Sequence, residues 1–361
     1  MKATQQLHEL GQSLWLDNIT RGLLTSGTLA HYIDDFSVTG LTSNPSIFDL
    51  AIKDSNFYDD AIRQKRKAGK SGEDLFFDLA IEDLRQAADL FRPVHDATAG
   101  KDGWVSLEVS PSLAYDAAST VKEAVQLHAR AQRPNLFIKI PGTGEGHAAI
   151  EEAIFAGVPV NVTLLFSREH YIAAAEAYMR GIERRIAAGL DPNVRSVASM
   201  FISRWDKAVM GKVPAELQNR LGIAIAKRTY KAYRDLLASS RWQKAARAGA
   251  PPQRLLWAST GAKDPKASDV LYIKTLAAPD TIDTMPENTL LAFADHGALG
   301  EILPEDGGDA ESVIAAFAQA GVDVKQLAAD LQREGAASFV ESWKDLLDCI
   351  GSKSATLKAA G

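Results

Sequence analysis

The sequence predicts a closed (β/α)8 barrel, in which eight parallel strands alternate with helices. One observation is that short β-rich runs recur along the chain, and most of them precede a longer segment with helical spacing of apolar residues. The other is length, because 361 residues of which 46% are hydrophobic can bury a large core. A count of eight runs favours a closed barrel over an open doubly wound sheet. The runs span residues 14–19, 38–41, 104–109, 136–140, 158–165, 197–202, 254–259 and 281–285.

Helices are predicted between the strands and after the last one. They span residues 72–90, 112–131, 146–156, 168–188, 214–237, 266–276 and 287–296. Residues 239–253 look like a helix end followed by a loop. Two further amphipathic helices are predicted at residues 310–320 and 324–348. We therefore expect one domain over residues 1–361, with extra C-terminal helices at residues 310–350 and a mobile tail at residues 351–361.

Composition narrows the class of protein. Lysine and arginine residues number 40 against 46 aspartate and glutamate residues, which gives a net charge of -6. The basic run RQKRKAGK at residues 63–70 is expected to be a solvated helix end and not a nucleic-acid patch. The N-terminal segment lacks the apolar stretch of a signal peptide, and no segment approaches the roughly 20 apolar residues that cross a bilayer. With a single cysteine, Cys349, the expectation is a cytoplasmic protein that binds neither nucleic acid nor membranes.

Polar residues stand near the carboxyl ends of almost all predicted strands. In a barrel of this kind these ends meet at the face that holds the active site. Taken singly, an aspartate or asparagine can cap a helix, a glutamate can form an ion pair, and a lysine can extend its amine to solvent. Their coincidence is explained more simply by convergence on one pocket. The residues are Asp17, Asn18, Thr42, Ser43, Asn44, Glu108, Lys139, Asn161, Thr163, Ser199, Arg204 and Ser259.

The residue types present argue against several chemistries. The seven histidines are scattered, without an HxH or HxxxH pattern or a Cys/His cluster, so a zinc site or a metal-dependent aldolase is poorly supported. The segment PGTGEG lacks the GK[ST] ending of a phosphate-binding P-loop and is expected to cap the following helix. A GxSxG motif, typical of serine hydrolases, is absent. We expect no metal and no organic cofactor.

Lys139 lies inside the apolar run LFIKI, which suggests covalent catalysis. A buried ammonium group without a partner is costly. Burial generally lowers the pKa of a lysine, and the neutral amine can attack a carbonyl to form a Schiff base. The iminium then accepts electrons while an adjacent carbon–carbon bond breaks or forms. Asp17 can supply the acid/base function, and Glu108 can activate the water that forms and hydrolyses the imine.

These motifs resemble the transaldolases, Schiff-base enzymes of the class I aldolase type in the pentose phosphate pathway. Seven motifs follow in the expected order from Leu14 to about Gly297, and the segment LWASTGAKDP resembles the longer bacterial subgroup. The seven are LWLDNITR, VTGLTSNPSIF, VSLEVSPSLAYD, NLFIKIPGTGEG, GVPVNVTLLFS, ASMFISRWD and TMPENTLLAFADHG. The resemblance implies a (β/α)8 barrel, in agreement with the strand count.

The resemblance implies a catalytic role for four residues. Lys139 would be the Schiff-base lysine and Asp17 the acid/base at the cleaved bond. Glu108 would be the partner of a catalytic water that Thr163 also holds. The related fructose 6-phosphate aldolases have a glutamine and a tyrosine where this chain has Glu108 and Phe201, and this difference favours transfer over simple cleavage.

Substrate contacts are implied in the same way. Asn44 and Asn161 would bind hydroxyls of the dihydroxyacetone unit, with Ser199 assisting. Arg204 would bind the substrate phosphate, as a guanidinium can do with two hydrogen bonds.

The seventh strand departs from the family pattern. Many members have Ala-Ser-aromatic-Arg, with the arginine on phosphate, whereas this chain reads ASTGAK at residues 258–263. Ser259 matches the serine, but the second arginine is missing. Lys263 replaces it only if the loop bends back.

The activity implied is transfer of a dihydroxyacetone unit between phosphorylated sugars. The donor would be sedoheptulose 7-phosphate or fructose 6-phosphate, and the acceptor glyceraldehyde 3-phosphate or erythrose 4-phosphate. Two alternatives stay open, namely aldol cleavage without transfer and a sugar-phosphate-binding barrel without turnover. Composition does not choose between a monomer and a homodimer.

Overall fold

Eight parallel strands close into a barrel in sequence order in this computed structural model, which describes residues 1–359 and the side chains of residues 1–357. The last strand pairs with the first, which completes the closure. The strands are β1 (Ser13–Leu16), β2 (Val38–Leu41), β3 (Trp104–Glu108), β4 (Leu136–Pro141), β5 (Val160–Leu165), β6 (Ser196–Phe201), β7 (Gln253–Ala258) and β8 (Ile282–Met285). The predicted (β/α)8 barrel and its eight strands are confirmed.

Helices surround this barrel and cover one of its ends. In chain order they are α1 (Ala3–Glu9), α2 (Arg21–Thr25), α3 (Thr28–Phe36), α4 (Pro45–Lys53), α5 (Asp59–Lys67), α6 (Gly72–Ala97), α7 (Ala117–Ala131), α8 (Gly144–Phe155), α9 (Arg168–Ala187), α10 (Ser203–Val209), α11 (Leu221–Ala238), α12 (Ser240–Arg247), α13 (Leu271–Thr275), α14 (Glu287–His296), α15 (Ala310–Gln319) and α16 (Val324–Ala359). Short 3-10 turns at Pro111–Leu113 and Ala215–Leu217 precede α7 and α11.

Several helix predictions are wrong in detail. The helices α1 to α4 were not predicted, and only the C-terminal end of α5 was, because each is only five to nine residues long and its helical periodicity is correspondingly weak. Helix α12 forms inside the predicted loop, where Ser239 caps it by accepting a hydrogen bond from the backbone N–H of Trp242 at 3.2 Å. The helix predicted at 266–276 shrinks to α13, because Asp264 holds the preceding residues in a turn through the N–H of Lys266.

Strand register places three candidate site residues side by side. Glu108 on β3 pairs with Lys139 on β4, which pairs with Asn161 on β5. Residues paired in register project to the same face of a sheet. The fold therefore brings a carboxylate, an amine and an amide to one level inside the barrel.

The last helix, α16, was expected to end at residue 348 but continues to Ala359. Ile350 and Ser354 on the added turns are buried. The amine of Lys353 donates to the backbone carbonyl of Ile52 at 2.6 Å and lies 3.1 Å from the carboxylate of Asp59. These contacts with α4 and α5 explain why residues 349–359 stay helical. The mobility expected for residues 351–361 stays a prediction, and residues 360–361 lie outside the described chain.

The basic run at residues 63–70 occupies the last turn of α5 and the residues after it. Lys65 forms an ion pair with Glu82, and Arg66 donates to the backbone carbonyl of Ser354. These charges therefore have local partners on α6 and α16. Among residues 1–359, no helix combines the length and apolar character that crossing a bilayer requires.

Candidate active site

A cavity of about 220 Å³ opens at the carboxyl ends of the strands. Nine of the eleven predicted site residues line it, namely Asp17, Asn44, Lys139, Thr163, Ser199, Phe201, Arg204, Ser259 and Lys263. The remaining lining residues are Thr42, Ser46, Ile47, Leu50, Ala258, Thr284 and Phe339. The other two predicted residues, Glu108 and Asn161, are buried and reach the cavity only through their neighbours Lys139 and Ser199.

Lys139 carries its amine on an almost inaccessible side chain. Only 5% of the residue is exposed, yet it lines the cavity. Its Nζ donates to the backbone carbonyl of Ser43 at 3.1 Å and lies 3.6 Å from Oε2 of Glu108. The amine therefore contacts one backbone acceptor and one carboxyl group, while the residue stays accessible from the cavity.

Glu108 is a buried carboxyl group with little compensation. Burial raises its pKa to about 7, opposed by the positive charge of Lys139 and reinforced by the negative charge of Asp17. Neither carboxylate oxygen accepts a hydrogen bond from a described residue, and the same holds for the hydroxyl of Thr163. A carboxyl group with a pKa near neutrality can give and take a proton within one reaction cycle.

Asp17 is held by a pair of threonines. Its Oδ1 accepts a hydrogen bond from the hydroxyl of Thr42 at 2.7 Å, and that hydroxyl lies 2.7 Å from the hydroxyl of Thr284. Burial raises the pKa of Asp17, and the charge of Lys139 and the bond from Thr42 oppose this rise. The two threonines thus fix one carboxylate oxygen on the cavity wall.

Asn161 belongs to a chain of buried polar groups. Its amide nitrogen donates to the hydroxyl of Ser106 at 3.1 Å, and its carbonyl accepts from the hydroxyl of Ser199 at 2.7 Å. Ser199 lines the cavity, whereas Asn161 and Ser106 are buried. Of these three hydrogen-bonded residues, Ser199 is therefore the one that faces the cavity.

Asn44 has two functions in this structure. Its carbonyl oxygen caps α4 by accepting a hydrogen bond from the N–H of Ile47 at 3.1 Å. Helix capping is the role that an asparagine at this position can have without any part in catalysis. The side chain of Asn44 also lines the cavity. Among the described residues its amide nitrogen has no hydrogen-bond acceptor, so it can donate to a ligand.

Positive charges gather at one side of the cavity. Arg204 and Lys263 both line it. The guanidinium of Arg204 stacks on aromatic rings, 5.1 Å from the ring centre of Phe201 and 5.8 Å from that of Phe339. Burial lowers the pKa of Arg204, and no described carboxylate lies within ion-pair distance of it.

Lys263 reaches the cavity, so the loop after β7 does bend back. Partial desolvation lowers the pKa of Lys263, and the positive charges of Lys207 and Arg204 lower it further. A cluster of cations that destabilise one another favours an anion between them.

Sequence reasoning missed some residues that shape the site. Ser106 stands two residues before Glu108 on β3, so strand alternation places both on one face and offered a signal for it. Thr42 was found as a polar residue at a strand end but was given no role of its own, and Thr284 at the end of β8 was missed although the same search applies to it. Phe339 comes from α16, far along the chain, and no local pattern indicates that its ring meets Arg204.

A second cavity in the described part of the chain lies at the opposite end of the barrel. This cavity of about 1000 Å³ opens at the amino ends of the strands, lined partly by Lys101, Arg195 and Arg254. None of the eleven predicted site residues lines it. Within residues 1–359, no group of three or more histidine, cysteine, aspartate or glutamate side chains is arranged to hold a metal ion.

Known proteins are similar in sequence to this chain over nearly its whole length. A family model described as Transaldolase/Fructose-6-phosphate aldolase matches residues 14–350. The chain is 42% identical to the transaldolase of Arthrobacter sp. (strain FB24), over 99% of each chain. It is 44% identical to that of Thermobifida fusca (strain YX), over 97% of each, and 43% identical to that of Thiobacillus denitrificans, over 97% of this chain and 100% of the relative. With a barrel of eight strands and near full-length relatives, the chain belongs to the transaldolase/fructose-6-phosphate aldolase family.

Proposed function

We propose that the chain, as a transaldolase, transfers a dihydroxyacetone unit through a Schiff base on Lys139. One observation carries the proposal: a buried amine lines the cavity and lies 3.6 Å from a buried carboxyl group whose pKa is raised to about 7. An amine in such a place is suited to nucleophilic attack, and the neighbouring carboxyl group to proton transfer.

The first stage forms the Schiff base. The neutral amine of Lys139 attacks C2 of the ketose phosphate, and the carbonyl oxygen becomes a hydroxyl group. Glu108 supplies a proton to that hydroxyl through a water molecule, water leaves, and the iminium remains. Glu108 and Thr163 are suited to hold this water because their side-chain oxygens have no hydrogen bond to a described residue.

The second stage breaks and remakes a carbon–carbon bond. Asp17 takes the proton of the C4 hydroxyl, the electron pair of the C3–C4 bond moves into the iminium, and the shortened aldose leaves. The resulting enamine stays on Lys139. An acceptor aldehyde then receives the enamine carbon, Asp17 returns its proton to the new alkoxide, and water activated by Glu108 hydrolyses the iminium.

The proposed substrates are phosphorylated sugars. Arg204 and Lys263 would bind the phosphate, since both line the cavity and the pKa of each is lowered without a carboxylate partner. Asn44, Asn161 and Ser199 would position the dihydroxyacetone hydroxyls, with Ser199 in direct contact and Asn161 acting through it.

The remaining proposals concern the chain as a whole. We propose that the protein is cytoplasmic. We also propose that it works as one domain, since Phe339 on α16 lines the same cavity as the barrel residues. The proposed donors and acceptors are those implied by the sequence. A monomer and a homodimer both suit the site, because one chain supplies all eleven candidate residues.

Borohydride trapping tests the covalent mechanism. The protein is reduced in the presence of fructose 6-phosphate, digested, and mapped by mass spectrometry for a dihydroxyacetone-derived adduct. An adduct on Lys139 that is absent in Lys139→Ala is expected. Sugar-phosphate binding without an adduct at any lysine would instead support the binding barrel without turnover.

Aldol cleavage without transfer is the second candidate, because the matching family model covers fructose 6-phosphate aldolases as well. Free dihydroxyacetone is measured after adding fructose 6-phosphate, with and without erythrose 4-phosphate. Transfer predicts little free dihydroxyacetone and a requirement for the acceptor. Steady release that ignores the acceptor would identify an aldolase.

A further inference from the structure

Asp283 on β8 is a buried acid that the proposed mechanism does not use. The residue has no exposed surface. Its Oδ1 lies 2.8 Å from the hydroxyl of Thr260, and its Oδ2 has no hydrogen-bond partner among the described residues. A buried acid with one partner is costly, so its contact with Thr260 calls for an explanation.

Thr260 belongs to the loop that follows β7 and carries two cavity residues. Ser259 precedes it with a left-handed backbone, at a φ of 57°, and Lys263 follows three residues later. A non-glycine residue in that region is strained by about 1 kcal/mol, so neighbouring contacts must hold it. Ser203 provides such contacts, because its N–H donates to the carbonyl of Ser259 at 3.0 Å and the two hydroxyls lie 3.0 Å apart.

The hydroxyl of Thr260 meets two acceptors with one proton. It lies 2.8 Å from Oδ1 of Asp283 and 3.1 Å from the backbone carbonyl of Thr284. If Asp283 is neutral, its own O–H donates to Thr260, and the proton of Thr260 goes to Thr284. Both contacts are then complete, and the raised pKa of Asp283, about 7 because of burial, agrees with this arrangement.

The same loop is held on its next residue. A Cβ atom built on Gly261 would lie 3.1 Å from the ring of Pro286, directly after β8. The loop thus turns tightly against the end of β8. Its course decides where the amine of Lys263 stands relative to Arg204.

We propose that Asp283 and Thr260 are positioning residues for phosphate recognition: their hydrogen bond fixes the loop so that Lys263 stands beside Arg204 at the cavity. This inference rests on the proposed function, since it requires Lys263 to receive the phosphate of a sugar substrate. The two residues act through Lys263 and touch neither the substrate nor the reacting atoms.

The test compares an acceptor with and without its phosphate. Glyceraldehyde 3-phosphate and glyceraldehyde present the same aldehyde, so the ratio of their kcat/KM values reports phosphate recognition alone. Thr260→Val removes the hydroxyl at nearly constant volume and is expected to lower this ratio about tenfold, the loss of one charge-assisted contact. Thr260→Ser keeps the hydroxyl and is expected to stay within about twofold of the wild type.

Variants of the partner residues complete the design. Asp283→Asn keeps a donor toward Thr260 and should preserve the ratio of the kcat/KM values. Asp283→Leu should lower this ratio as Thr260→Val does. If Thr260→Val fails to fold, Asp283→Leu takes its place in the test. In the Lys263→Met background, Thr260→Val should lower the ratio no further. Equal losses with both acceptors, or a further drop in that background, would overturn the proposal. A wild type without transfer activity or a borohydride adduct would instead refute the proposed function.

Discussion

Two groups of buried polar residues, one at each end of the barrel, differ in how many of their hydrogen bonds are made. At the amino ends of the strands, Asp102 accepts hydrogen bonds from Nε1 of Trp15 at 2.8 Å and from the hydroxyl of Ser13. Arg254 donates to that same hydroxyl at 2.6 Å and to the backbone carbonyl of Lys101 at 3.0 Å. Apart from Nε of Arg254, the polar side-chain atoms of this group have described protein partners.

At the carboxyl ends, the group formed by Lys139, Glu108 and Thr163 is left incomplete. Both oxygens of Glu108 and the hydroxyl of Thr163 have no described hydrogen-bond partner, and Lys139 lies at 3.6 Å from its carboxylate instead of in close contact. Completed networks stabilise a fold, whereas incomplete ones cost stability and leave groups free to act on a substrate. The comparison indicates that the group around Asp102 and Arg254 serves stability, whereas the group around Lys139 and Glu108 serves chemistry.

The largest effect is expected at Lys139. Lys139→Ala removes the proposed nucleophile, so kcat should fall by about 1,000-fold or more. The thermal midpoint should change by only a few degrees, because Glu108, whose pKa is already raised to about 7, can bind a proton and leave no uncompensated buried charge. Steady-state transfer assays and thermal unfolding check both statements. Activity within tenfold of the wild type would remove Lys139 from the mechanism.

Glu108→Gln should separate activity from stability. We expect kcat to fall by about 100-fold, because the amide cannot transfer a proton. The folded-state pKa of Glu108, about 7, lies above its ordinary value of 4.5, so the stability contributed by the neutral form is complete below pH 4.5 and is lost as the pH rises through 7. At pH 8 the free energy of unfolding of the variant should therefore be about 1 to 3 kcal/mol higher than that of the wild type. Urea titrations at pH 5 and pH 8 measure this difference, and a variant that is less stable at pH 8 would contradict it.

Arg254→Met should show the opposite pattern at the amino end. The change removes three hydrogen bonds from a buried guanidinium, to Lys101, Ser13 and Thr281, and should lower the free energy of unfolding by about 3 kcal/mol. Because this residue lies at the far end of the barrel from the active-site cavity, kcat and KM of the folded protein should stay unchanged. A large change in KM with little loss of stability would show that the two ends are coupled.

The sequence predicted the regular parts of this molecule better than the irregular ones. All eight strands follow from period and composition, whereas α12 and the added turns of α16 depend on contacts such as that between Lys353 and Ile52, which are distant in sequence. Tertiary contacts of this kind leave no local pattern.

The candidate site divides in the same way. Nine of the eleven predicted residues line one cavity. Polar residues at strand ends indicated seven of them in a barrel, whereas Phe201 and Lys263 came from the family resemblance. The search at strand ends did not reveal that Asn161 is buried behind Ser199, or that Phe339 stacks on Arg204. The position of a residue along a strand predicts the end of the barrel at which it lies. Its burial, and its contacts with residues distant in sequence, require the structure.

The smallest expected effect compares two buried serines that make the same kind of contact. Ser106 accepts a hydrogen bond from the amide of Asn161 at 3.1 Å near the active site, and Ser196 accepts one from the amide of Gln253 at 2.9 Å at the first residue of β6. Replacing either serine by alanine should lower the free energy of unfolding by about 1 kcal/mol. Only Ser106→Ala should also raise the KM of the donor, by about threefold to tenfold, because Asn161 then loses the contact that holds its amide toward Ser199. Equal KM values for the two variants would mean that the polar chain through Asn161 serves stability alone, and the division between the two ends would have to be drawn nearer to Lys139.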